Sequence, residues 1–141
     1  MKLTTDFIVN IKSKEVEDKI KKASQLGIRD VVADIWNDAI KNAPYRKTQP
    51  RISTGHNARS ITAEVSGMGV VRRGKDSEPE KVVDDSKLEG AVYSTSGYGG
   101  WLEVGTHRDD GAWRMSPRPY FYPALVKNMH NLPAFIKRHL A

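Results

Sequence analysis

The residues best equipped for chemistry lie between positions 98 and 125. Glu103 sits beside Trp101 in Tyr98-Gly-Gly-Trp-Leu-Glu-Val-Gly-Thr106, and Arg118 opens Arg118-Pro-Tyr-Phe-Tyr-Pro-Ala-Leu125. A carboxylate in such apolar company is either desolvated, or satisfied by an arginine or by the N–H groups of a turn. Arg118, a planar two-pronged donor, suits a carboxylate, so a Glu103–Arg118 pair is expected. His107, Asp109 and Asp110 are metal-ligand types. A metal site needs a further fixed ligand that the sequence does not suggest, and a polar surface loop is the simpler reading. Tyr120, Phe121 and Tyr122 lie beside arginines and could stack nucleic-acid bases. Three consecutive helix positions cannot share one face, so one or two of them are expected in the core instead.

Other constellations are missing from the sequence. It holds no His-Glu-x-x-His, no Gly-x-Ser-x-Gly and no Walker loop. Gly67-Met-Gly69 lacks the third glycine of a dinucleotide fingerprint. There is no cysteine, which excludes disulfides, thiolate zinc sites and cysteine nucleophiles. The expectation is a protein that is not an enzyme and uses no metal or cofactor.

The elements that would position these residues follow from periodicity. Residues 5–12 are rich in β-branched and aromatic side chains and predict a short strand. Ser13 is a good N-cap, with Glu15, Glu17 and Asp18 in the first turn after it. No proline interrupts residues 14–42, and apolar positions keep helical spacing on two faces, Val16-Ile20-Ala23-Gly27-Val31 and Ile28-Val32-Ile35-Ala39. One long helix of roughly 40 Å is predicted, ending before Ala43-Pro44. Residues 44–58 read as a loop, 60–66 as a strand with alternating apolar and polar residues, and 70–72 as its continuation after a glycine turn. The charged stretch 73–87 reads as a mobile hairpin tip or loop, and 89–95 as another strand. An antiparallel meander is expected. A short helix over 98–104 with Gly105 as its C-cap, a loop over 107–117, a helix over 120–129 and a last helix over 133–140 capped by Asn131 complete the chain.

The chain has 141 residues, 38% hydrophobic and 28% charged, which suits one soluble folded domain over 1–141. Met1 to Val9 hold no apolar run of signal-peptide length, and no span approaches transmembrane length. The expected setting is the cytosol of the producing cell, with no membrane. Net charge is +6. Residues 41–63 carry Lys41, Arg46, Lys47, Arg51 and Arg59 with no acid, and 107–141 carry six bases against two acids. Arg46, Lys47, Arg51 and Arg59 are therefore candidates for contact with DNA or with a neighbouring subunit. A solvated loop plus ordinary C-terminal helix cations accounts for the same bias.

Several of these pieces together resemble the gene-product-ten-like tail-component family of lambdoid tailed phages. That pattern is a long N-terminal helix ending in Ala-Pro, then Thr-Gly and a Ser-Ile strand start, then Tyr-Ala-x-x-Val-Glu-Phe-Gly-Thr and Arg-Pro-Phe-x-x-Pro-Ala. This chain offers Ala43-Pro44, Thr54-Gly55 and Ser60-Ile61. It continues with Tyr98, Trp101, Leu102, Glu103, Val104, Gly105 and Thr106, then Arg118-Pro119-Tyr120-Phe121 and Pro123-Ala124. The resemblance spans roughly residues 14–130. Asn57 stands where the family commonly has leucine, and Gly99 where it has alanine. The resemblance implies an α+β fold: a long N-terminal helix packed on a small antiparallel sheet, with a C-terminal helical segment. It marks Trp101, Glu103, Gly105, Thr106, Arg118, Pro119, Phe121 and Pro123 as motif residues. It further implies a structural virion protein: a ring, of six subunits, at the neck or tail end. Such a ring serves as connector, tail terminator or tail-completion protein, contacting head-completion or adaptor proteins, the tail tube protein and, weakly, genomic DNA. The alternative from composition alone is a small basic nucleic-acid-binding protein acting as monomer or dimer.

Overall fold

The structure is a computed structural model that describes residues 2–4, 14–43 and 55–141. The strand expected over 5–12 and most of the basic loop, with Arg46, Lys47 and Arg51, lie outside the described residues. The fold is α+β, with a long N-terminal helix on a small antiparallel sheet and C-terminal helices beside it. Helix α1 runs from Lys14 to Asn42, as its unbroken periodicity predicts. Strands β1 (Lys2–Thr4), β2 (Ile61–Val65), β3 (Gly69–Arg73) and β4 (Glu89–Ser94) form one sheet in the order β1-β4-β2-β3. All neighbours are antiparallel.

That order corrects the expected meander. β4 pairs with β2 rather than with β3, so residues 74–88 are a crossover and not a hairpin tip. Side chains of the sheet hold them. The Glu64 carboxylate accepts the backbone N–H groups of Val82 and Val83, both at 3.1 Å, and the Tyr93 hydroxyl at 2.9 Å. Glu89 accepts the N–H of Asp84, and the Tyr93 hydroxyl also reaches Glu80 O. Both glutamates are buried. A buried carboxylate is stable only when its lone pairs are used, so the charged crossover is what makes these two positions tolerable. Burial raises the Tyr93 hydroxyl's pKa, and the hydrogen bond to Glu64 adds to it.

The crossover also explains why every residue of β2 is buried. Ile61, Ala63 and Val65 join the core with α1, while Glu64, one residue out of phase, meets the crossover. Period-2 alternation normally signals one wet face; here both faces are covered. On the helix side, Trp36 Nε1 donates to Ile61 O at 2.8 Å and Gln25 Nε2 to Ser66 O at 3.2 Å. Eleven helical residues at about 1.5 Å and five strand residues at about 3.3 Å both span roughly 16 Å. α1 therefore runs antiparallel along β2.

The face of α1 that carries Gly27 is covered by the chain's own C-terminus. Helices α4 (Phe121–Asn128) and α5 (Leu132–Leu140) pack on α1 and are joined by a 3₁₀ turn over Met129–Asn131. Asn131 makes no side-chain cap, because the turn carries the chain straight into α5, with Pro133 in its first turn. Gly27 shows how close the helices come. A Cβ there would lie 2.6 Å from Ile136 Cγ1 and 3.0 Å from Ile136 N. Charge fastens the same crossing: Asp30 accepts Arg138 Nη2 at 2.7 Å and pairs with His139 Nε2 at 2.6 Å. Burial raises the Asp30 pKa, but hydrogen bonds from His139, Arg138 and Arg29 outweigh it, and the carboxyl ends below its usual range.

Candidate functional site

Most of the motif residues gather where two short elements meet. Helix α3 (Gly99–Val104) ends at Gly105, and strands β5 (Thr106–His107) and β6 (Trp113–Met115) form a hairpin that leads to α4. Residues 107–117, expected as a loop, thus contain a paired segment, with Thr106 opposite Met115 and His107 opposite Trp113. Its turn is closed by Arg108 N to Ala112 O at 2.8 Å and by Asp110 Oδ1 accepting the Ala112 N–H. Two-residue pairings are too short to show as periodicity.

Glu103 does not pair with Arg118. Its carboxylate accepts three successive backbone N–H groups: Tyr120 at 2.7 Å, Phe121 at 3.0 Å and Tyr122 at 2.9 Å. The first turn of a helix presents N–H groups with no intrahelical acceptor. Pro123, next in line, has no N–H to offer. One glutamate from α3 therefore satisfies the free donors at the start of α4, and its charge faces the positive end of the helix. Tyr120, the N-cap residue, makes no side-chain cap of its own, so the cap comes from 17 positions upstream. Arg118 contributes its backbone, whose N–H donates to Leu102 O at 2.8 Å. Its side chain forms no ion pair among the described residues.

Gly105 makes this turn possible. Its φ is +75°, and a Cβ would fall 2.6 Å from Met115 O and 2.8 Å from Pro117 N. Only glycine meets both conditions. The motif's glutamate, glycine and prolines are thus one mechanical unit that locks α3, the hairpin and α4 together.

A buried polar network, unforeseen from the sequence, supports the unit from below. Tyr120 is fully buried. Its hydroxyl donates to Gly99 O at 3.0 Å and accepts Asn57 Nδ2 at 2.9 Å. Asn57 Oδ1 accepts the hydroxyls of Ser94 and Ser96 at 2.7 and 2.8 Å. Burial pushes the Tyr120 hydroxyl up to about 12, against a lowering by Asn57. A leucine at 57 would leave the Tyr120 and serine hydroxyls short of partners. An alanine Cβ at 99 would lie 2.6 Å from Ser94 Cβ and 2.8 Å from Asn57 Oδ1. The two departures from the phage pattern therefore belong together.

Tyr120 and Phe121 are buried against each other and Tyr122 is exposed, so the three do not form a base-stacking platform. His107 stacks on Trp113 at 3.9 Å, and no group of three metal-ligating side chains occurs among the described residues. Arg59 donates to Asp76 at 2.6 Å, which ties helix α2 (His56–Arg59) to the crossover. Its charge is engaged within the chain. Asp76 also pairs with His56 Nδ1 at 3.2 Å, and His56 Nε2 lies 3.5 Å from Ser60 Oγ. The order resembles a nucleophile triad. Ser60, however, is fully buried and gives its proton to His56 O at 2.7 Å, one helical turn back. This serine cannot meet a substrate in that position.

What the unit does present is apolar surface. Trp101, Val104 and Tyr122 are 65%, 66% and 66% exposed, and Trp113 is 49% exposed. Two clefts of about 340 Å³ flank α3. One is walled by Tyr93, Val104, Phe121, Tyr122 and Leu125, the other by Tyr98, Trp101, Leu102 and Met115. No helix among the described residues is long and apolar enough to cross a membrane. Comparison with protein-family models, curated proteins and solved structures returns no match for this chain.

Proposed function

We propose that this chain is a structural, non-enzymatic protein of a tailed-phage virion. It assembles as a ring of six at the head–tail junction, as neck connector, tail terminator or tail-completion protein. One structural observation supports this reading above the others: the rigid α3–hairpin–α4 unit holds large aromatic and aliphatic side chains in solvent. Monomeric proteins seldom leave such surface uncovered, and a patch of this kind marks a protein–protein contact. The resemblance over roughly residues 14–130 supplies the virion setting, with head-completion or adaptor proteins and the tail tube protein as partners. The protein then acts in the host cytoplasm during assembly and in the virion afterwards.

DNA must pass such a ring and leave it, so contact with it is weak, sequence-independent and salt-sensitive, at about 10⁻⁴–10⁻⁶ M. The test is titration of the isolated chain with duplex DNA at two salt concentrations, followed by addition to purified tails and tail-less heads. The proposal expects weak DNA binding and attachment to one of the two particles. Tight DNA binding by a monomer that ignores both particles contradicts it and favours the small nucleic-acid-binding protein.

A further inference from the structure

A closed ring needs two different complementary surfaces on each subunit, because a head-to-tail contact repeats around the axis. This inference rests on the ring reading above and asks which surfaces meet. The first is the α3 unit. Aromatic side chains bury about 150–250 Å² each. At their observed exposures, Tyr98, Trp101, Trp113 and Tyr122 present roughly 400 Å² in all, about half of the ~800 Å² that one partner gives a standard interface. The composition around them is that of an interface. Residues 88–126 contain no lysine, although the chain has lysines on both sides of that stretch. Interface cores are enriched in aromatics and arginine and depleted in lysine. The cations here are Arg108, Arg114 and Arg118, which are exposed and form no ion pair among the described residues. Asp109 and Asp110 on the same hairpin are ill suited to a phosphate backbone.

The second surface must offer acids and some apolar area. On α1, Asp30 and Asp38 are already matched by Arg138, His139 and Lys127 of the same chain. The crossover 74–88 holds five acids and three lysines. Its Glu78 and Glu80 are exposed and make no ion pair among the described residues. Val82 and the neighbouring Val70 are exposed. A cleft of about 380 Å³ opens beside Glu80, with Val70, Pro79 and Val83 in its wall. Glu64 and Glu89 already tie the crossover to the sheet, which reduces the chain that docking there must order.

We infer that the α3 surface of one copy seats on the 74–88 crossover of the next, Trp101 entering the cleft beside Glu80 and Arg114 facing Glu78 and Glu80. All three test positions are exposed, and the Glu80 group that holds Tyr93 is its backbone carbonyl, so substitution there leaves the fold's own contacts intact. The experiment measures mass against concentration, by light scattering, for the wild type, Arg114→Glu, Glu80→Arg, the combined variant and Trp101→Ala, with thermal melts as controls. Each single variant is expected to raise the concentration for half-assembly at least tenfold with an unchanged melt, and the combined reversal to recover most of the loss. Single reversals that assemble like the wild type overturn this interface and leave the ring reading standing. A wild-type chain that stays monomeric at every concentration overturns both.

Discussion

The cap on α4 can be removed with one substitution, Glu103→Ala. In the wild type the carboxylate accepts three N–H groups within 3.0 Å. Hydrogen bonds to a charged group contribute about 1.5–3 kcal/mol each, but they are not lost in full. Tyr122 lies in an exposed position, so its N–H recovers water after substitution. Tyr120 and Phe121 are buried residues, and their N–H groups are stranded more severely. Loss of an ordinary N-cap costs about 0.5–2 kcal/mol, and the charge facing the helix dipole about 0.3–1 kcal/mol. Alanine's better helix propensity within α3 returns a few tenths. The expected net loss is about 2–4 kcal/mol, a large share of the ~5–15 kcal/mol that holds a domain of this kind. Glu103→Gln keeps one acceptor oxygen and loses the charge, so about half of that loss is expected. Urea unfolding with an unchanged slope gives the stabilities. Amide exchange at Tyr120, Phe121 and Tyr122 locates the effect, since those three amides should lose protection first. A Glu103→Ala protein within about 0.5 kcal/mol of wild type, with those amides still protected, would refute the capping argument.

Three further outcomes follow from the same structure. Thr62 Oγ1 is buried and has no hydrogen-bond partner among the described residues, so the near-isosteric Thr62→Val removes an unmet polar group and should stabilise the protein by about 1 kcal/mol in the same urea assay. Gly27→Ala gains about 1 kcal/mol of helix propensity but places a Cβ against the Ile136 backbone. Overpacking costs of about 1–3 kcal/mol prevail, and the variant should melt lower, with faster exchange in α5. At alkaline pH, Tyr120 ionises in the folded protein at about 12 rather than 10. The raised value means its contribution is fully present below pH 10 and lost as pH rises towards 12, by about 2–3 kcal/mol. Stability that stays flat across that window contradicts the buried hydroxyl network.

Much of the architecture was legible because it rests on long-range periodicity or on residues with strong backbone demands. α1 follows from nearly thirty residues without proline, and the ends of α3 and α4 from Gly105 and Pro123. The sheet order was not legible. Val70-Val71 and the strand at 89–95 carry no mark that says which neighbour each will pair with; the observed order goes with burial of Glu64 and Glu89. Those two buried carboxylates need N–H donors, and the crossover brings them. For Glu103 the sequence suggests Arg118 as the partner, and the structure gives it three backbone donors instead. Sequence proximity to aromatics indicated a satisfied carboxylate, while the identity of the donors depended on α3 lying against the first turn of α4. Asn57 is marked in the sequence only as a departure from the phage pattern, since a lone asparagine after Thr-Gly reads as a turn residue. Its role exists only where Ser94, Ser96 and Tyr120 converge.

Ring assembly depends on the α3 unit acting as the contact surface. The most direct measurement is the mass of the purified chain in solution, by light scattering over a wide concentration range, with negative-stain images of the largest species. The expected result is a rise with concentration to a closed ring of six. A mass fixed at one chain, or a dimer that never closes, would contradict it.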